Sequence, residues 1–402
     1  MKYCLVLFCA FSAFVSVAQK ITISGKVVDN ETQEPLPFAS IGILGNSVGT
    51  ITNLQGEFDF HLNNNLRNDI FAIQMLGYKT FEAPVWSLLK DSLKIEMNKS
   101  NFILQEVLVA DSLTGGDILN IALERISENY PTEPFLMQGF YRDLKKVANT
   151  YISLLEAAVE IYDEDYKEPR NKFKLRERVA LKEVRRSLGY NSKFTAFFDQ
   201  GNLLEDLLLH NSIRYRHLPE EDDFLKQLVR EKDNYFDNQP VYVVTHRVDQ
   251  ITILIEKGSF SILRFEDENT SDVFVGKKSG LVSKLVNVKR VVDFKPFNGK
   301  MYLNYLTVNS KINWYHSETN ELKFETELQQ LLLINAVEPS TKGKIGFGKK
   351  MKGYGLQYQD QAYNKEFWDN YNVLKESKLE KKIIHDLERE EPLESQFKDG
   401  RD

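Results

Sequence analysis

The chain has 402 residues and a formal charge of −6, with 42% hydrophobic, 12% aromatic and 27% charged residues. This length predicts two or three domains, and the composition supports packed cores rather than a disordered chain. The acidic balance carries no nucleic-acid footprint, which excludes the basic binding classes at the level of bulk composition.

The N-terminus reads as a secretory leader. Lys2 precedes an apolar run from Tyr3 to Val17 that closes on Ser16-Val17-Ala18. A basic start, an apolar stretch and a small-x-small end predict export with cleavage after Ala18, so residues 1–18 are assigned as signal peptide. The run is shorter than the about 20 residues that cross a bilayer. Cys4 and Cys9 both lie inside it, and Cys9 follows Phe8 mid-run rather than small residues at its end, so no lipidation site is expected. The mature chain is then free of cysteine, which rules out disulfide, thiolate and Cys-metal chemistry. No later stretch predicts a membrane-spanning helix. The expected location is the periplasm or the outer membrane.

Residues 19–109 predict a sandwich of short strands. Ile21, Ile23 and Val27 alternate around Gly25, and a polar turn from Asp29 closes on Pro35. Ala39, Ile41 and Ile43 alternate next, and Gly45-Asn46 turns the chain. Asn53-Leu54-Gln55-Gly56 is a second turn, with Gly56 free to take positive φ. Phe58, Phe60 and Leu62, then Phe71, Ile73 and Met75, then Leu93, Ile95 and Met97 supply further inward faces. Short strands at regular spacing with turn residues between them predict two packed sheets.

The order Gly25, Asp29, Pro35-Leu36, Ala39, Gly49-Thr50, Thr52-Asn53, Gly56-Glu57-Phe58 and Gly77-Tyr78 resembles the carboxypeptidase-like regulatory domain. The resemblance implies a transthyretin-like sandwich of the kind also found at the N-terminus of starch-utilisation-type TonB-dependent receptors of the Bacteroidota envelope. It implies no catalytic residue in this module. Asn53 stands where the family commonly has Asp. A zinc carboxypeptidase would need His-x-x-Glu and a distant His. His217-Leu-Pro-Glu220 has that spacing, with His246 or His316 as a third ligand, but it runs on into Glu221-Asp222-Asp223, the pattern of a solvated turn entering a helix.

Residues 110–338 predict a larger antiparallel domain. Gly115-Gly116-Asp117 opens a helix that Pro131 stops, with Ile118, Ile121, Ala122 and Ile126 at helical spacing. Strands are predicted at 138–147, 150–162 and 173–187, followed by a charged helical stretch at 203–231. Further strands are predicted at 241–248, 251–257, 260–268, 284–295, 300–314 and 321–335. Asn298-Gly299 is a strong hairpin turn and 316–320 links the last pair. A membrane barrel is disfavoured, because Arg290 interrupts the face Val286, Val288, Val292, Phe294 that lipid would touch. The outline, a helix and then hairpins, is loosely similar to periplasmic lipoprotein-carrier half-barrels and to the regions that follow this sandwich in Bacteroidota-type envelope proteins.

Several constellations have the residue types of a site. Gly343 to Lys349 has phosphate-loop spacing, but Lys350 stands where Ser or Thr would hold Mg²⁺, and Gly353 and Gly355 oppose a following helix. Glu156 with Glu160, and the run Asp163-Glu164-Asp165, fit solvated faces better than a carboxylate pair or a calcium loop. The aromatics Phe140, Tyr141, Tyr151, Tyr162, Tyr166, Tyr302, Tyr305, Trp314 and Tyr315 lie on neighbouring strands and offer faces suited to sugars, peptides or acyl chains. Residues 339–402 predict a Gly/Lys-rich connector and then helices, with Phe367, Tyr371, Leu374 and Leu379, Ile383, Leu387 at helical spacing.

The fold expected is mainly β with some α: a transthyretin-like or Ig-like sandwich followed by an antiparallel β-rich α+β domain. The function expected is non-enzymatic binding or scaffolding at the outer membrane, with no cofactor, no metal and no catalytic residue assigned. The partner is expected to be another envelope protein, a glycan or a lipid. A carrier holding lipid or glycan in a curved sheet, and a hydrolase with an unrecognised site, are the alternatives.

Overall fold

The computed structural model describes residues 20–90, 92–100, 112–191, 193–199, 201–237, 239–346, 348–351, 355–359, 361–375 and 380–399. The predicted leader, with Cys4 and Cys9, lies outside them, as do Lys352 and Gly353 of the connector.

Seven strands build the N-terminal module: β1 (Lys20–Asp29), β2 (Ser40–Ile43), β3 (Gly49–Ile51), β4 (Glu57–Asn63), β5 (Ile70–Gln74), β6 (Phe81–Pro84) and β7 (Leu93–Met97). They form a three-stranded sheet in the order β4-β1-β7 and a four-stranded sheet in the order β3-β2-β5-β6. The alternation in each strand sends Ile23, Val27, Phe58, Phe60, Phe71 and Ile73 into one core between the sheets, all essentially without solvent contact. This is the predicted sandwich. Strand β7 pairs with β1 in parallel, which the sequence pattern does not reveal.

The resemblance residues meet in space. Asp29 accepts hydrogen bonds from the Glu31 and Thr32 amides at 2.7 and 2.9 Å and from the Tyr78 hydroxyl at 2.7 Å. Those donors, the Thr32 amide first, hold its carboxyl well below the usual carboxylate range. Gly56 sits at φ +72°, and a Cβ there would lie 2.3 Å from the Val27 carbonyl oxygen. Only glycine closes this turn.

The remaining chain holds α1 (Gly115–Glu124), α2 (Ile126–Asn129), β8 (Phe135–Val147), β9 (Thr150–Asp163), β10 (Arg178–Arg186), α3 (Leu203–Leu209), α4 (Ser212–Tyr215), α5 (Asp222–Leu225), β11 (Val229–Arg230), β12 (Asn234–Phe236), β13 (Gln239–His246), β14 (Ile251–Glu256), β15 (Ile262–Lys278), β16 (Leu281–Phe297), β17 (Lys300–His316), β18 (Leu322–Glu338), α6 (Lys365–Trp368), α7 (Glu380–Leu387) and α8 (Leu393–Asp399). Strands β8 to β18 form one antiparallel sheet in the order β10-β9-β8-β18-β17-β16-β15-β14-β13-β11, with β12 beside β13. Among the described residues it does not close into a barrel. Asn298 and Gly299 both take positive φ, 48° and 71°, as the hairpin reading requires.

Two expectations change. The helical stretch 203–231 is three short helices, because Arg216 at φ 54° ends α4 and the segment through Pro219 breaks the run. The tail 367–374 is one helical turn, α6, followed by irregular chain; Trp368, Phe367 and Tyr371 pack on the sheet as a cluster rather than along a helix face.

Both faces of the large sheet are covered. On the inner face, Ile118, Leu119 and Ile126 of α1 and α2 and Leu204 and Leu207 of α3 pack on Tyr141, Leu155, Ile161, Val292, Leu306 and Leu332. On the outer face, the sandwich and the C-terminal segment pack on Phe140, Tyr305, Leu331 and Leu333. Asn53 explains its departure from the family pattern here. Its Oδ1 accepts from the Gln55 and Glu57 amides at 2.9 Å, as an aspartate would, and its Nδ2 donates to the Lys375 carbonyl at 2.9 Å. A carboxylate cannot make that last bond. Asn53→Asp is expected to keep the sandwich folded but to cost about 1–3 kcal/mol, by leaving the Lys375 carbonyl facing an acceptor. Urea unfolding of the two proteins measures this, and equal midpoints would refute it.

Candidate functional site: a cleft between the sandwich and the outer sheet face

Strand register sets the floor of the cleft. Across β8, β18, β17, β16 and β15, directly opposed residues form three parallel rows. The first is Phe140, Leu333, Tyr305, Asp293, Arg264; the second is Arg142, Leu331, Thr307, Val291, Glu266; the third is Leu144, Gln329, Asn309, Lys289, Glu268. At strand spacings of about 4.8 Å, each row runs roughly 19 Å. Period-2 alternation puts all three rows on the outer face.

The sandwich lies on the first row. Phe38 stacks on Tyr305 with ring centroids 5.8 Å apart and planes 24° apart. It does so from a left-handed backbone, φ 57°, which is strained for a phenylalanine. Its amide donates to the Thr52 carbonyl at 3.1 Å. Polar contacts complete the docking. Lys295 Nζ donates to the Ser47 carbonyl at 3.1 Å, the His61 amide donates to Asn372 Oδ1 at 2.8 Å, and Lys375 pairs with Asp59 at 2.7 Å.

Where the cover ends, rows two and three floor a cleft of about 450 Å³. Leu54 and Gln55 of the sandwich turn form one wall, and Leu374, Lys382 and Ile383 form another. Phe38 separates it from a second cavity of about 360 Å³, which Met75, Leu76, Phe236, Leu254 and Phe294 line with Asp293.

The charges around these spaces are mostly paired. Glu156, fully buried, is clamped by Arg142 Nε at 2.6 Å and Arg185 Nε at 2.5 Å. Burial raises its carboxyl, and the two guanidiniums outweigh that, leaving it below the ordinary glutamate value. Arg264 donates to the Tyr305 hydroxyl at 2.9 Å and pairs with Glu266 at 3.0 Å, and Lys289 shares Glu266 at 2.8 Å. Asp293 is pushed up to about 6 by burial, against the pull of Arg264 and the Asn304 amide. Lys295 is brought down to about 8, also by burial.

The other sequence candidates are dispersed. Glu160 pairs with Lys182 at 2.8 Å, away from the arginines on Glu156, so the two glutamates do not act as a pair. The acidic run is divided among four cations: Asp163 binds Arg214 at 2.6 and 2.8 Å, Glu164 binds Lys344 at 2.7 Å, and Asp165 binds Arg176 at 3.3 Å and Lys167 at 3.6 Å. Beside the fully buried Arg214, burial and the Asp163 charge push Glu177 up to about 7, and its carboxyl bonds the Tyr215 hydroxyl. His217 stacks between Phe173 and Tyr215 and bonds the Lys172 carbonyl, while Glu220 is exposed. His246 stacks on Phe224, and His316 accepts from the Thr319 amide in a hairpin turn. Among the described residues no three His, Cys, Asp or Glu side chains converge as metal ligands. The described residues between Gly343 and Met351 form no helix; Ile345 packs on Tyr162 and Ala180. Of the aromatics, Tyr151 and Tyr305 line the cleft, whereas Tyr141, Tyr166 and Tyr302 are buried in the inner core.

Comparison with known proteins agrees with the N-terminal architecture. Residues 23–109 match the CarboxypepD_reg-like domain, so the sandwich is a carboxypeptidase-regulatory-like module. A 99-residue stretch is 33% identical to the TonB-dependent receptor SusC of Bacteroides thetaiotaomicron; it spans 25% of this chain and only 9% of the receptor. Among solved structures, lipovitellin aligns over 62% of this chain and 29% of its own, at 9% identity and a TM-score of 0.28. A Bacteroides fragilis protein of unknown function aligns over 79% of this chain and 98% of its own, at 9% identity and a TM-score of 0.16. Scores this low define no shared fold.

Asp293 ties the docked interface to pH. Its folded pKa, about 6, lies above the ordinary 3.8. The protonated form therefore favours folding; its contribution is full below the ordinary value and is lost as pH rises through about 6. Asp293→Asn stays neutral and is expected to remove a fall on the order of 2 kcal/mol between acid and neutral pH. Unfolding midpoints at several pH values read this, and parallel profiles for the two proteins would exclude Asp293 as the source.

Proposed function

We propose that this protein is an exported, non-enzymatic module of the cell envelope that binds or scaffolds another envelope component at the outer membrane. The observation that carries the reading is the regulatory-like sandwich at residues 23–109, a module shared with the N-terminal region of a TonB-dependent receptor. Its docking supports the same reading. Phe38 ties the sandwich to the larger domain, and Asn53 and His61 tie it to the C-terminal segment, so the three present one composite surface. Partners of the expected classes, an envelope protein, a glycan or a lipid, would meet that surface. For the carrier alternative, Tyr141, Tyr166 and Tyr302 are taken up by the inner core, and Tyr151 and Tyr305 are the aromatics of that set that line the cleft.

Cell fractionation with N-terminal sequencing tests the reading. The expected result is recovery from the periplasmic or outer-membrane fraction with Gln19 as the first residue. Recovery from the cytosol with residues 1–18 intact overturns it.

A further inference from the structure

We propose that the cleft beneath Leu54 and Gln55 is a binding site for an amphipathic anion: an elongated apolar body carrying one phosphate- or carboxylate-type head. The inference deepens the binding-module reading and rests on it in treating the cleft as a place of recognition rather than reaction.

Size and lining come first. A space of about 450 Å³ falls within the range of small-molecule sites, roughly 300–1,000 Å³. Leu331 and Val291 lie at the middle of the second row, with Leu144 and Tyr305 beside them and Ile383 above. This is an apolar strip interrupted by Thr307, and its apolar strand residues line the cleft although each keeps less than a tenth of its surface exposed. An apolar body laid along it would remove water from both surfaces.

Charge then orients the ligand. At the β8 end stand Arg142, Arg185, Lys382 and Arg389 against the carboxylates Glu156 and Asp386. At the β15 end stand Arg264 and Lys289 against Glu266, Glu268 and Asp293. The first end therefore has two positive charges in excess, and the second has none. An anionic head belongs at the first end, with the body pointing toward Tyr305 and Phe38. Lys382 is placed to receive it: its side chain is 47% exposed, and its ammonium stands 5.5 Å from the Tyr151 ring that lines the same cleft. Arg142, on the cleft lining, adds positive charge from a guanidinium that Glu156 and the Leu374 carbonyl hold in place.

One unmet polar group supports the same place. Gln55 Oε1 in the wall is buried and has no hydrogen-bond partner among the described residues. A buried carbonyl oxygen in that condition calls for a donor that the protein does not supply. A water held by the head would donate to it.

Titration of the purified full chain tests the proposal, with dodecyl phosphate, dodecyl maltoside and inorganic phosphate as probes below any micelle concentration. Calorimetry is expected to show one saturable site for dodecyl phosphate, about tenfold or more tighter than for the neutral-headed maltoside, with inorganic phosphate alone binding more weakly still. Lys382→Ala should weaken dodecyl phosphate by about fivefold or more, whereas Lys289→Ala at the opposite end should change it by less than about twofold. Thr307→Trp, which fills the middle of the second row, should abolish binding while the thermal unfolding transition is retained. Equal affinity for both dodecyl compounds, an effect of Lys289→Ala matching that of Lys382→Ala, unchanged binding in Thr307→Trp, or no saturable binding of dodecyl phosphate would each overturn it. A failed titration leaves the envelope reading standing, and cytosolic recovery of the chain would leave the titration unaffected.

Discussion

The pairing of β8 with β18 is the contact on which the rest of the structure depends. It runs from Leu136 opposite Glu338 to Val147 opposite Thr326, between segments that open and close the larger domain. Closing so long a loop costs chain entropy that no local hairpin has to meet. The compensation is burial: Tyr141 faces Leu332 on the inner side and Phe140 faces Leu333 on the outer side, all four with no exposed surface. Without this pairing, β8, β9 and β10 would be a separate three-stranded ribbon beside a meander. With it, Arg142 comes into line with Leu331, Thr307 and Val291, and a continuous outer face exists for the sandwich to lie on.

A sheet covered on both faces places unusual demands on its strands. Inner positions must be apolar to receive α1, α2 and α3, and outer positions must be apolar where the sandwich lands and polar beyond it. The rows record this gradient. Phe140, Leu333 and Tyr305 lie under the cover, Leu331 and Val291 lie at its margin, and Gln329, Asn309 and Lys289 lie past it. Ionisable groups appear where the gradient changes. Glu156 survives full burial because two arginines reach it, and Arg214 survives because Asp163 meets it with two parallel bonds. Asp293 and Lys295 are less completely compensated, and each shifts toward its neutral form.

The sandwich was legible in the sequence because its information is local. Alternating pairs such as Phe58 and Phe60, and turn residues such as Gly56, act within a few residues of one another. The hairpins of the larger domain were legible for the same reason, Asn298-Gly299 above all. The join between β8 and β18 was not, since no local pattern marks which distant strands will pair. The cleft was hidden by the same limit. Tyr151 and Tyr305 were noticed as aromatics, but period-2 alternation cannot say which face another domain will cover when both faces carry apolar residues. Phe38 lies between the landmarks Pro35-Leu36 and Ala39, yet its contact with Tyr305 is a property of the docking. Asn53 was visible as a departure from the family pattern, and a buried donor to a distant carbonyl was the physical reason.

The location of the open space follows from the order in which the surfaces are filled. The inner face is packed by helices whose side chains interdigitate with the sheet, leaving little that a ligand could displace without breaking the core. The outer face is covered by a module that has its own core and its own reasons to fold, so the fit between the two is set by a few anchors rather than by continuous packing. Phe38 is one of these, held in a left-handed conformation where it stacks on Tyr305 and its amide bonds the Thr52 carbonyl. A rigid anchor at the first row and a second line of support from residues 372–375 leave the span between them bridged but not filled. The cleft is that span, floored by Leu331 and Val291, each of which keeps less than a tenth of its surface exposed.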